Sequence, residues 1–421
     1  MSLLIEETKP SGFDWIGDTP SSWTVDRIKD IIPSIYGGGT PDSSHPEYWE
    51  DGDITWITPT DFQDFKDSNL ISDSRRKITL EGLEASATTL LPIGSVVMAS
   101  RATIGVAKIA GVQLCTNQGF VSFVCERASN EFFRYAIEDY LGDMFLNIAS
   151  GTTFREISRS EVRRTHFAFP CFAEQRRIVA YLDKGCAAID GAIRAKRQQL
   201  SVLEDLRKSI INKAVTRGLD ERVDLVVSGN ETIGLMPRLW KRTKFRYEID
   251  VRSGDFVSDK LDDDGAYPVI GGNGLMGRAH DFNVDGEVVV VGRVGAYCGN
   301  VHYVKGRAWV SDNALIVESR HDKRFLTYLL RALDLNSFAK KTAQPLVTGT
   351  QIKNSHVALP PVDEQRQIVE YLESKTARIK DLESNLSAQI TTLEQYRKSL
   401  IHECVTGKRR INKEGITVSS L

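Results

Sequence analysis

One amphipathic segment is written twice in this chain, and that repetition limits the architecture more than any other feature. The stretch EQRRIVAYL begins at Glu174 and EQRQIVEYL at Glu364, an offset of 190 residues. The register holds without a gap from Pro170 and Pro360 to Thr216 and Thr406, and Leu203, Glu204, Arg207, Lys208 and Ser209 match Leu393, Glu394, Arg397, Lys398 and Ser399. Apolar residues recur at Ile178, Leu182, Ile189, Ile193, Leu200, Leu203 and Ile210, and again at Ile368, Leu372, Ile379, Leu382, Leu386, Leu393 and Leu400. Steps of three, four and seven put them on one stripe of a long helix. Proline ahead of each copy and glutamate in its first turn mark the helix start. From Ile178 to Ala214 such a helix runs about 55 Å.

A stripe of that kind cannot face water. The simplest solution buries the two stripes against each other as an antiparallel pair or short coiled coil; the alternative packs each helix on its own neighbouring domain. The segments before each helix are rich in short runs of Val, Ile, Thr and Gly, which read as strands and turns. They share landmarks in the same order. IGDTPSSW (Ile16 to Trp23) parallels IGLMPRLW (Ile233 to Trp240), and GSVVMASRATIG (Gly94 to Gly105) parallels GEVVVVGRVGAYCG (Gly286 to Gly299). TNQGFVSF and SDNALIVES follow, and then a helical stretch in each half. The expected fold class is α+β: two mixed α/β domains, each followed by a long helix, with the helices packed as an antiparallel coiled-coil spacer. The expected limits are a first domain over 1–169, a first helical region over 170–217, a second domain over 218–358, a second helical region over 359–410, and a tail over 411–421.

Chemistry is harder to find. The chain has no nucleotide-binding P-loop, no Gly-x-Ser-x-Gly elbow and no His-Glu-x-x-His motif. GNGLMG (Gly272 to Gly277) matches a dinucleotide fingerprint only on paper, because no amphipathic helix follows; it reads as a tight loop. KLDDDGAYP (Lys260 to Pro268) lacks the later glutamate of a calcium loop and reads as a solvated turn. The six cysteines form no Cys-x-x-Cys pair and suggest buried free thiols, and the seven histidines lack metal-ligand spacing. Neither a metal nor a self-sufficient catalytic site is expected. With no long apolar run and no export signal in MSLLIEETKP, the expected location is the cytoplasm. A net charge of −2 does not by itself call for a polyanion partner. From the residues alone, a scaffold presenting protein-binding domains stays open.

The duplicated Pro…Glu-Gln-Arg-x-Ile-Val-x-Tyr-Leu motif, together with IGDTPSSW and the tandem order, resembles the DNA-specificity subunits of type I restriction–modification enzymes over essentially the whole chain. The resemblance implies a non-catalytic subunit with two target-recognition domains, each reading one half of a split, asymmetric DNA sequence in the major groove. It implies helices that set the unread spacer and dock two modification subunits, which use S-adenosylmethionine to methylate adenine. Restriction subunits using ATP and Mg²⁺ would join them; this chain would bind no cofactor itself. Residues suited to touching DNA are Tyr36, Gly38, Thr40, Thr58, Arg101, Thr103, Asn117 and Gln118 in the first domain. In the second they are Arg252, Ser253, Asn273, Arg293, Tyr297 and Asn313. Arginine pairs bidentately with guanine, and Asn or Gln with adenine. For each of them a structural salt bridge or turn hydrogen bond is the competing expectation. SGTTF (Ser150 to Phe154) and VTGT (Val347 to Thr350) are similar turns ahead of the helices, expected to face the DNA backbone or simply to cap structure.

Overall fold

The computed structural model describes residues 7–65, 68–151, 155–230, 232–257, 261–338, 345–411 and 417–419. The chain divides into two compact units, one of Met1–Ala195 with Gln389–Leu421 and one of Lys196–Ala388. Two long helices, Phe172–Arg217 and Val362–Val405, each contribute one half to either unit.

In the first unit the N-terminal half of the first long helix meets the C-terminal half of the second. Ile178, Leu182, Cys186, Ile189 and Ile193 share a core with Leu400, Ile401, Cys404 and Val405. Arg397 pairs with Asp190 at 3.0 Å. In the second unit Ala214 and Val215 share a core with Ile368, Val369 and Leu372, and Arg207 lies 3.8 Å from Glu383. The two helices therefore pack together in opposite directions. The buried line follows two seven-residue series per helix, the signature of a left-handed coiled coil. In the second helix these are 372, 379, 386, 393, 400 and 376, 383, 390, 397, 404. Leu382 belongs to neither and is 53% exposed, so it is not a packing residue. Apolarity alone favoured Leu382, but the seam instead takes its neighbour Glu383, which faces Arg207. Leu200, Leu203, Ile210, Leu386 and Leu393 are half-buried, while Ile178, Leu182, Ile189, Ile193, Ile368, Leu372, Ile379 and Leu400 are buried.

The repeated Glu-Gln has an internal cause. Glu174 accepts a hydrogen bond from Trp23 Nε1 (3.3 Å) and pairs with Arg410 (3.0 Å); Glu364 accepts from Trp240 Nε1 (3.1 Å). Gln175 accepts from the Ser129 amide (2.7 Å) and donates to the Pro170 carbonyl (2.9 Å). Gln365 does the same with the Asp322 amide (3.2 Å) and the Pro360 carbonyl (2.9 Å). Ser129 and Asp322 are the N-caps of the domain helices Asn130–Ala136 and Lys323–Ala332. Each motif thus ties the start of a long helix to the tryptophan and the capped helix of the domain that precedes it.

The second unit carries a further layer. Gln365 Nε2 donates to His321 Nδ1 (3.0 Å), His321 Nε2 donates to Glu248 (3.0 Å), and Lys241 Nζ lies 2.5 Å from the same carboxylate. Burial alone would raise the Glu248 carboxyl, but the hydrogen bonds from Lys241 and His321 outweigh it and hold the group below its ordinary value of 4.5. A depressed carboxylate stabilises the fold above its unfolded value and stops doing so as pH falls through the folded one. Thermal unfolding of the wild type is therefore expected to lose stability steeply below about pH 4.5, and Glu248→Gln is expected to flatten that loss.

Both domains share one sheet topology, to which the first adds a fifth strand at one edge. In the first, a sheet in the order Ser34–Gly37, Phe120–Val124, Val96–Ala99, Ala107–Ala110, Leu70–Ile71 adjoins a smaller one of Leu114–Thr116, Ile54–Ile57 and Lys77–Ile78. In the second, Ile249–Ser253, Ala314–Ser319, Glu287–Gly292 and Val301–Lys305 adjoin Trp309–Val310, Tyr267–Gly271 and Gly274–Ala279. The parallel pairs correspond as well: Leu114–Thr116 on Ile54–Ile57, and Trp309–Val310 on Tyr267–Gly271. The sequence showed only shared landmarks, because the strands keep their order and pairing and not their residues. Each domain closes with a short helix, Arg159–Arg164 or Gly349–Asn354, opened by a capping box at Ser158 or Thr348. A final strand, His166–Phe169 or His356–Leu359, leads into the long helix. Of the turns read as similar, VTGT supplies the Thr348 cap, whereas Thr152–Phe154 of SGTTF lie outside the described residues, as does Lys260 of the acidic turn. All six cysteines are free, but Cys171 is exposed, because it stands in the turn between Pro170 and the helix.

Candidate nucleic-acid interface

The C-terminal ends of corresponding strands converge on a rim in each domain. In the first, the Gly39 amide donates to the Thr116 carbonyl (2.9 Å), Asn117 to Ile57 (2.9 Å), Ser100 to Gly119 (2.8 Å) and Ile157 to Ser100 (3.0 Å). These bonds bring together the segments at 37–40, 57–58, 100–103 and 116–119. A Cβ on Gly38 would fall 1.8 Å from the Asn117 carbonyl oxygen, so this crossing admits only glycine. In the second domain, Gly254 donates to Ala314 (3.0 Å), Ser311 to Ile270 (2.9 Å), Arg293 to Asn313 (2.9 Å) and Val347 to Arg293 (2.9 Å). The rim is the same, with different side chains on it.

On the first rim Thr40 Oγ1 donates to Gln118 Oε1 (2.5 Å), and both residues are exposed. Arg101 pairs with Glu156 at 2.8 Å, each about half exposed, and Thr103 lies exposed beyond Ala102, whose φ is 57°. Asn117 is half-buried, its Oδ1 accepting from the Gly119 amide (2.9 Å). Two candidates are drawn into structure. Tyr36 sits in a strand, packed against the core around Phe62, and Thr58 caps the helix Pro59–Asp64 through a capping box with Asp61.

On the second rim Arg293 donates to Ser253 Oγ (3.1 Å), and Asn273, Tyr297 and Asn313 are exposed. Arg252 and Ser253 lie in a strand, not a loop. Arg252 pairs with Glu318 (3.3 Å) and donates to the Asn283 carbonyl (3.2 Å). Ion pairs this exposed are worth at most about 1 kcal/mol, so Arg101 and Arg252 separate from their carboxylates at little cost when a better acceptor arrives. GNGLMG, read as a loop, forms instead the turn and outer strand of a hairpin, because Gly274 takes the positive φ of 92° that the turn requires.

The chain matches the family described as the type I restriction modification DNA specificity domain over residues 20–201 and 248–392. It belongs to that family. Its curated relatives include the MjaIX specificity subunit of Methanocaldococcus jannaschii, 25% identical over 94% of this chain and 96% of the relative. The EcoprrI specificity subunit of Escherichia coli is 24% identical over 81% and 84%. A chain solved in work on the assembly of a type I R-M system superposes with a TM-score of 0.73 at 16% identity, covering 92% of this chain and 98% of that one. The HsdS subunit from Thermoanaerobacter tengcongensis gives 0.53 at 17%, with the same coverage. At such identities the structural likeness speaks for the fold alone. Membership in the family assigns the chain a role in DNA recognition. Among the described residues no helix is long and apolar enough to cross a membrane.

Proposed function

We propose that this chain reads a two-part, asymmetric DNA target, one part with each rim, inside a type I restriction–modification complex. The observation that carries the reading is the pair of topologically matched domains whose rims differ in chemistry, each tied by the same Trp–Glu–Gln arrangement to the start of a long helix. The paired helices set the unread interval and offer two equivalent docking places to two modification subunits. Those subunits supply S-adenosylmethionine and methylate adenine; restriction subunits supply ATP-dependent, Mg²⁺-dependent cleavage; this chain contributes recognition and no catalysis. The complex works in the cytoplasm. With a net charge of −2, the chain leaves part of the phosphate neutralisation to its partners.

The test is methylome sequencing of cells expressing the partners with wild-type chain, with Gln118→Ala on the first rim, or with Arg293→Ala on the second. Each variant is expected to relax one part of the motif and leave the other intact, at about 1–3 kcal/mol for a lost bidentate contact. Uniform weakening across both parts, or no sequence preference in the wild type, would sink the reading.

A further inference from the structure

The second rim carries a feature that the first lacks. Strands Tyr267–Gly271 and Gly274–Ala279 form a tight hairpin whose outer strand lies at the edge of its sheet. The corresponding strands of the first domain, Ile54–Ile57 and Lys77–Ile78, are instead separated by a segment containing the helix Pro59–Asp64. The register of the hairpin shifts between Val269 and Ile270: Ile270 pairs with Leu275, but Val269 with Gly277, leaving Met276 as an extra residue. Successive residues of a regular strand face opposite sides, and a bulge breaks that alternation. Leu275 is 70% and Met276 49% exposed, so two adjacent apolar side chains both reach solvent at the tip. Tyr297 and Phe256, also exposed, belong to segments bonded to the same rim: the Tyr297 carbonyl lies beside Gly272, and Asp255 pairs with Ser311.

Contiguous exposed apolar groups on a folded surface mark an interaction site. This cluster is continuous with Asn273, Arg293 and Asn313, the groups suited to base edges, in a chain whose family reads DNA. A two-stranded ribbon fits the major groove of B-DNA, and the one apolar feature the bases present there is the 5-methyl group of thymine. Building on the DNA-reading function above, we infer that the ribbon tip enters the major groove of the second half-site, and that Leu275 and Met276 read thymine through its methyl group. The first rim, with Thr40, Arg101, Asn117 and Gln118, reads by hydrogen bonds. The second half of the target is thus read by an apolar contact as well as by hydrogen bonds.

The experiment uses the assembled complex of this chain with its modification subunits. The probe is a duplex bearing the motif mapped by methylome sequencing, its halves assigned by the rim variants. Thymines are replaced one at a time by uracil, which removes only the methyl. At one or two positions of the second half, affinity is expected to fall about fourfold, the worth of one buried methyl. In the first half the same replacement changes it less than about twofold. L275S and M276S, exposed and so harmless to folding, are expected to abolish the thymine–uracil difference while leaving hydrogen-bond-read positions discriminated. Equal affinity for uracil throughout the second half overturns the inference. So does a loss of subunit assembly in L275S that leaves uracil discrimination intact, because the tip would then be a protein contact. Absence of any sequence preference in the wild-type complex would instead overturn the DNA-reading function beneath it.

Discussion

Leu182→Asp and Leu372→Asp are each expected to yield a chain that fails to accumulate as folded protein. Both leucines are fully buried, each at the seam where a long helix meets its partner and the domain core. Removing either side chain forfeits about 1.5–3 kcal/mol of apolar burial. The introduced carboxylate adds several kcal/mol, because burial penalises the charged form. Together these approach the whole of an ordinary stability of about 5–15 kcal/mol. The control is Leu382→Asp, on the same helix and of the same type but exposed, which is expected to change stability by less than about 0.5 kcal/mol. Leu203→Asp and Leu393→Asp fall between, because both sites are half-buried and the new carboxylate keeps part of its hydration. Soluble yield and thermal unfolding of the three classes check the ranking. If Leu382→Asp proved as damaging as Leu372→Asp, the seam would run along a different face.

That series also marks how far the sequence was legible. The long helices were readable because a seven-residue spacing repeats over many turns, and a buried stripe leaves that trace in the residues themselves. The phase of the stripe was not readable between Ile379 and Leu386, where both Leu382 and Glu383 satisfy alternating steps of three and four. Only the partner helix decides, through Arg207. The domains were readable as strand-rich from their Val and Ile runs, but their common topology was hidden. A strand core needs apolar residues at alternate positions and no particular ones, so two sequences reach one fold without resembling each other. The rims were partly legible. Arg101, Gln118 and Arg293 stood out by chemistry, the last two beside Gly119 and Gly292, whereas Glu156, the partner of Arg101, lies far along the chain. The hairpin was missed because its bulge disrupts the alternation by which a strand is recognised, and GNGLMG then reads as a turn.

The motif that opened the sequence makes the last and most discriminating case. Gln365→Leu is expected to destabilise the second unit, and Gln175→Leu the first, without touching any rim residue. Gln365 is fully buried, and its amide satisfies the Asp322 N–H, the Pro360 carbonyl and His321 Nδ1 at once. Leucine fills similar space but leaves those largely buried groups without partners, at about 1–3 kcal/mol for each. Gln175 satisfies two groups, the Ser129 N–H and the Pro170 carbonyl, so its replacement costs less. At about 2–4 °C per kcal/mol for a unit of this size, the melting temperature is expected to fall by at least about 6 °C for Gln365→Leu and by a smaller step for Gln175→Leu. The functional consequence separates this account from one in which Glu-Gln-Arg serves partner docking. An internal tie that fixes a domain on its helix should, when cut, blur one half of the recognised sequence: the first for Gln175→Leu, the second for Gln365→Leu. Assembly with the modification subunits persists below the melting point. A docking role predicts the reverse, loss of assembly with both halves still read correctly by whatever complex remains, and methylome sequencing beside a subunit pull-down tells the two apart.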